Sequence, residues 1–247
     1  VSIEVRALLK KLAALSGGPL VRRRAVARAL GEVSETEATQ LLSELMSLAA
    51  ARDEEALRLL PSFLRALEED ADLIPHLETL QRVAGLHQQD EVELLFTEGE
   101  AVREYQEDAA ARADARRFTL PLGALKTRAR LSKNPDELAR LAVASNPAVV
   151  RELLSNPRLT EELVVRIAAR RPARPEPLVE IWRSTRWSAR PAVRRALVFN
   201  PYLPPDVGVK IVPLLPRLDL VLVLESTGLH ASLRELAARL LETGSTD

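Results

Sequence analysis

The 247-residue chain contains no cysteine. That excludes disulfides, thiolate nucleophiles, cysteine-ligated zinc and iron–sulfur clusters. Its three histidines, His76, His87 and His230, are too scattered to suggest a metal site. Aromatic residues make up only 3%, which argues against a β-sandwich built on aromatic and β-branched residues. Glycines number nine, and no phosphate-cradling G-x-x-x-x-G-K or G-x-G-x-x-G occurs among them. No serine sits in a G-x-S-x-G elbow. The longest apolar runs, 211–215 and 220–224, fall far short of the roughly 18 residues of a membrane span. The N-terminus lacks the charged–apolar–small order of a secretory signal, so the expected location is cytoplasmic. No cofactor and no metal are expected, and no catalytic residue can be named. The acidic pairs Glu54-Glu55, Glu68-Glu69 and Glu161-Glu162 read as helix-start or polar-face carboxylates rather than general acids.

What is abundant is Ala, Leu, Arg and Glu, the strong helix formers. With 47% apolar residues, the expected class is all-α. Ile3, Leu8, Leu9, Leu12 and Leu15 keep a helical period. Gly17-Gly18-Pro19 breaks that helix and suits the start of a second, ended at Gly31. Ser34 and Glu37 form a capping box for a third helix. Asp53 caps a fourth, in which Pro61 is expected to kink or split the helix. Two more helices are expected near 72–85 and 89–96. The stretch 98–117 is helix-prone but mostly charged, and reads as an exposed connecting helix. The division expected is a helical N-terminal region over 1–117 and a repeat domain over 118–247.

Net charge is zero overall. Residues 53–114 nevertheless carry a net −12 and residues 115–217 a net +12. Screening beyond about 8 Å at physiological salt makes these blocks local surfaces rather than a global dipole.

The second half is punctuated by Asn-Pro at 134–135, 146–147, 156–157 and 200–201. Asparagine is a good N-cap, and proline is tolerated at the first helical position. Each pair is therefore expected to open a short helix. Residues 146–167 also align without a gap to residues 190–211, sharing 10 of 22 positions. The shared pairs include Val149/Val193, Arg151/Arg195, Leu153/Leu197, Asn156/Asn200, Leu159/Leu203 and Ile167/Ile211. Thr160 is the expected cap of the helix after the first Asn-Pro turn, and Pro204-Pro205 takes its place in the second copy. A 44-residue offset leaves room for about three helices per unit. Short helical units that cannot bury their apolar faces alone stack as an α-solenoid.

The pattern Pro-x-Val-x-Arg-x-x-Leu followed by Asn-Pro-x-Leu resembles the leucine-rich-repeat-variant and HEAT/armadillo-like bacterial helical repeat proteins, over about residues 125–241. The resemblance implies a superhelical binding surface rather than chemistry. An N-terminal iron–sulfur cluster, carried by some variant-repeat proteins, has no cysteines here to hold it.

Two functions compete. The first is a non-catalytic scaffold or adaptor binding a protein or peptide along the repeat surface. The second is a nucleic-acid-binding HEAT-like protein, DNA-glycosylase-like, using the basic block 115–217. Arginines interleaved with aromatics can track a phosphate backbone and stack on bases. The candidate binding residues are Arg151, Arg166, Arg183, Arg186, Trp187, Arg190, Arg194, Arg195 and Tyr202. Trp182 and Trp187 have a plainer reading as gap-fillers between stacked helices, and Glu180 is the acid nearest to them in sequence. Self-association of an acidic surface with a basic one is a third possibility.

Overall fold

Side-chain caps at Ser34, Asp53, Asn134, Asn146 and Thr160 open five helices in the computed structural model, which describes residues 3–14, 18–106, 120–144 and 146–243. Sixteen α-helices and no strand occur among these residues. The all-α expectation therefore holds. The chain divides into two compact units: Val1–Glu98 with Val209–Ser226 and Ala231–Asp247, and Gly99–Gly208 with Thr227–His230. The boundary falls at Glu98/Gly99, and most of the C-terminal stretch belongs to the first unit. That differs from an N-terminal region ending at residue 117.

The first unit contains α1 (Ile3–Ala13), α2 (Pro19–Glu32), α3 (Glu35–Ala50), α4 (Glu54–Glu69), α5 (Leu77–Leu86) and α6 (Asp90–Glu93). The Ser34–Glu37 box forms as expected: Glu37 N–H donates to Ser34 Oγ, and Ser34 N–H donates to Glu37 Oε2 at 2.9 Å. The Ser34 hydroxyl, which also donates to Glu37 Oε2 at 2.7 Å, and then the Ser34 N–H hold the Glu37 carboxyl below its ordinary pKa. The Asp53 carboxylate caps α4, accepting from Ala56 N–H at 2.9 Å.

Two expectations meet tertiary packing here. Pro61 does not split α4, which runs unbroken through it. Leu59, Leu60, Phe63 and Leu64 are fully buried around the proline, and their burial offsets the roughly 3 kcal/mol that a mid-helix proline costs. Gly31 does not end α2, which continues to Glu32. A Cβ at Gly31 would stand 2.2 Å from the Leu73 carbonyl oxygen. This glycine permits close approach of the 3₁₀ turn Ala71–Leu73 to α2.

The second unit holds α7 (Leu122–Leu131), α8 (Pro135–Leu141), α9 (Pro147–Leu154), α10 (Glu161–Ala168), α11 (Pro175–Arg183), α12 (Thr185–Ser188), α13 (Pro191–Val198) and the start of α14 (Pro205–Ile211). The rest of α14 leads back into the first unit, followed by α15 (Arg217–Glu225) and α16 (Ala231–Thr243). The two similar segments fold alike. α9 and α13 start 44 residues apart, at Pro147 and Pro191, as do α10 and α14, at Glu161 and Pro205. α9 lies on α7, and α13 lies on α10.

The Asn-Pro pairs divide into two kinds. Asn134 and Asn146 are N-caps as expected, accepting from Asp136 N–H at 2.9 Å and Ala148 N–H at 3.0 Å. Asn156 and Asn200 open no helix and sit in turns, each 1% exposed. Asn156 Nδ2 donates to the carbonyls of Ala129 (2.8 Å) and Ser132 (3.0 Å), at the end of α7. Asn200 Nδ2 donates to the carbonyls of Ala168 (2.7 Å) and Arg170 (2.9 Å), at the end of α10. Each Oδ1 accepts an N–H two residues on, from Arg158 at 2.8 Å and Tyr202 at 3.0 Å. One buried amide thus satisfies the carbonyls that a helix C-terminus leaves unpaired and fixes the following turn. Because it does so in both copies, the sequence repeat is also a repeat of tertiary bonds.

Candidate functional site

The arginines of the basic block are largely committed within the second unit. Arg186 donates to the carbonyls of Asn156 (3.1 Å) and Leu159 (3.3 Å), and its guanidinium lies 4.2 Å over the Trp187 ring. Trp187 is 2% exposed, and its Nε1 donates to the Leu154 carbonyl at 2.9 Å. The ring fills the space beside α9 and presents no face for base stacking. Trp182 is equally buried. Arg194 Nε donates to the Ser188 carbonyl at 2.6 Å, and burial pushes its pKa below the ordinary arginine value. Arg170 and Arg171 donate to the carbonyls of Val143 and Phe199. Tyr202 is 8% exposed, so it caps the repeat internally instead of contacting solvent.

The remaining candidates stay at the surface with acidic or aromatic neighbours. Arg151 makes a two-pronged pair with Glu180, Nε to Oε2 at 2.9 Å and Nη2 to Oε1 at 2.5 Å. The Arg151 bond holds the Glu180 carboxyl below the usual glutamate range. That carboxylate is clamped, not poised as a general base. Arg166 pairs with Glu162 at 3.1 Å, and Arg190 lies 3.9 Å from Glu161. Arg195, at the position equivalent to Arg151, sits 5.8 Å over the Phe199 ring. Arg183 is exposed. Lys210, equivalent to Arg166, pairs with Glu68 of α4 within the first unit. Neither repeated basic position therefore forms a uniform row.

A different part of the second unit forms a cleft of about 320 Å³. It is lined by Glu100, Arg103, Glu104, Tyr105, Arg174 and Glu176, among others. Residues 98–106 are not helical, which corrects the expectation of a connecting helix for that part; residues 107–117 lie outside the described ones. Gly99 adopts φ +151°, which side chains rarely tolerate. Arg103 N–H donates to the Pro201 carbonyl at 3.1 Å and ties the segment down beside the Asn200 turn. The Arg174 guanidinium lies 5.3 Å over the Tyr105 ring. The Tyr105 hydroxyl is buried and has no hydrogen-bond partner among the described residues. Leaving such a group unpaired costs about 1–3 kcal/mol.

Sequence reasoning passed over Tyr105 because its surroundings are charged and alanine-rich. The only available signal was its rarity, as one of two tyrosines. Among the described residues, no three His, Asp or Glu side chains gather to hold a metal. No described helix is long and apolar enough to cross a membrane. No protein-family model, curated protein or solved structure matches the chain.

Proposed function

We propose that the chain is a non-catalytic helical-repeat scaffold whose second unit, a short α-solenoid, binds an extended segment of a protein partner in the cleft beside Tyr105. The observation that carries this reading is the buried, unpartnered Tyr105 hydroxyl within a lining of mixed charge. A peptide backbone supplies both N–H donors and carbonyl acceptors. It can satisfy the phenol while its side chains meet Glu100, Glu104 and Glu176 or Arg103 and Arg174. A nucleic-acid backbone offers anionic oxygens, and these would face the three carboxylates. The commitments of Arg170, Arg171, Arg186 and Arg194 to backbone carbonyls support the same choice. So does the repeated Asn156/Asn200 bond, which gives the stack a rigid frame.

Selection from a random peptide library on the full chain tests the reading. Selected peptides should bind Tyr105→Phe about three- to tenfold more weakly, the worth of one net hydrogen bond. They should respond more strongly to Arg174→Glu. Failure to enrich any peptide, or equal binding by both variants, would overturn the reading. So would retention of oligonucleotides that weakens steeply with salt.

A further inference from the structure

The cleft beside Tyr105 differs in charge from the unit that holds it. The second unit carries more basic than acidic residues, yet three glutamates, Glu100, Glu104 and Glu176, line the cleft. None of the three carboxylates has a hydrogen bond or ion pair among the described residues. The two lining arginines do not balance them. Arg174 is engaged over the Tyr105 ring at 5.3 Å and has a further partner within the chain. That leaves Arg103, which is exposed. Glu176 lies in the first turn of α11, where the helix dipole already favours a negative charge. Glu100 and Glu104 lie on the non-helical stretch 99–106 and have no such support.

The rest of the lining suits the stem of a long cationic side chain. Gly99, Ala101, Pro175 and Pro204 supply walls without charge. A lysine or arginine lays its methylene stem along such a surface and keeps its charged head among polar groups. The volume of about 320 Å³ is at the low end for ligand pockets, about 300–1,000 Å³. That is room for one long side chain and its adjoining backbone. The stretch 99–106 also has backbone to offer. Among the described residues its single backbone-to-backbone bond is the one from Arg103 N–H to the Pro201 carbonyl. Its other donors and acceptors can pair with an extended segment.

We infer that the cleft selects protein segments bearing an arginine or lysine, whose stem packs on Ala101, Pro175 and Pro204 and whose cation is received by Glu100 and Glu104. This rests on the peptide-binding reading above and adds the charge of the partner. An acidic segment would bring its carboxylate against three others. A neutral one would gain its backbone bonds alone and leave both glutamates to water.

Three short-peptide libraries, random except for a central arginine, glutamine or glutamate, test this on the full, unaltered chain. The arginine library should yield the binders. Replacing the central arginine of a selected peptide with glutamine should weaken it about tenfold or more, the worth of a hydrogen bond to a charged group. Glu100→Gln with Glu104→Gln should weaken the arginine peptide by a similar factor. It should leave the glutamine-substituted peptide within about twofold. Glu55→Gln with Glu235→Gln alters two exposed carboxylates that do not line the cleft and should change neither, which separates recognition in the cleft from general attraction. Circular dichroism checks the fold of both double variants, and the library comparison needs no variant at all. Equal yields from the three libraries, a preference for glutamate, or equal effects of the two double variants would overturn the inference. Tyr105→Phe tells this failure from the failure of the cleft reading. Binders weakened by Tyr105→Phe without regard to charge overturn the inference alone, and no binder from any library overturns both.

Discussion

Replacing Asn200 with alanine removes three hydrogen bonds at once: two to the carbonyls of Ala168 and Arg170, and one from Tyr202 N–H. The site is 1% exposed, so water does not simply replace the side chain. At about 1–3 kcal/mol per stranded polar group, with the carbonyls partly relieved by relaxation, the loss should be about 3–5 kcal/mol. Asn200→Asp keeps the shape but turns a donor into a charged acceptor facing two carbonyl oxygens, and should be at least as harmful. Asn134→Ala is the matched control: the same dipeptide, an exposed cap, and one bond to Asp136 N–H, worth about 1 kcal/mol. Both tryptophans of the chain, Trp182 and Trp187, lie buried in the second unit. Their fluorescence therefore follows the unfolding of that unit in urea. At a slope of about 1–3 kcal/mol/M, Asn200→Ala should lower the midpoint by roughly 2 M, and Asn134→Ala by about 0.5 M. Equal shifts for the two alanine variants, or a harmless Asn200→Asp, would refute the reasoning.

In the first unit, Gly31→Ala should destabilise the protein by about 1–3 kcal/mol although alanine is the better helix former. The added Cβ would overlap the Leu73 carbonyl, and thermal unfolding followed by circular dichroism should show a lower Tm. Acid should weaken the Arg151–Glu180 clamp. The Glu180 pKa is lowered in the folded state, chiefly by its bond to Arg151. Its contribution to stability is therefore present above the ordinary glutamate value and fades as pH falls through the lowered one. The urea midpoint of Glu180→Gln should accordingly depend less on pH across that acidic window than the wild type's; parallel profiles would contradict the assignment.

Much of the helix punctuation was legible because its chemistry is local. Ser34 with Glu37, Asp53 with Ala56, and Thr160 with Leu163 each act within three residues. The Asn156/Asn200 equivalence was visible as a repeat, yet its meaning was not. The carbonyls those amides bind lie 24 to 32 residues away, so an N-cap was the only reading that sequence spacing allowed. Gly31 followed the same rule, since its reason sits at Leu73. The basic block is ambiguous in the sequence because arginine serves two purposes. Arg186 and Arg194 use their donors on backbone carbonyls, which composition cannot distinguish from a surface waiting for phosphate. The cleft was hidden because Arg103 is fixed by a backbone bond to Pro201, while the surrounding composition favours a helix.

The first unit leaves the chain at Glu98 and resumes at Val209. Its α3 is covered in part by α16, whose Leu233, Leu236 and Leu240 are buried. During synthesis, the opening ninety-odd residues must therefore wait with that flank bare while the ribosome makes the inserted stretch, on the order of ten seconds at ordinary elongation rates. A nascent chain halted within the insert would display the uncovered leucines of α3 to chaperones and proteases. Synthesis of α16 is thus the step that completes the first unit, whose earlier helices mature after those of the second unit have been made.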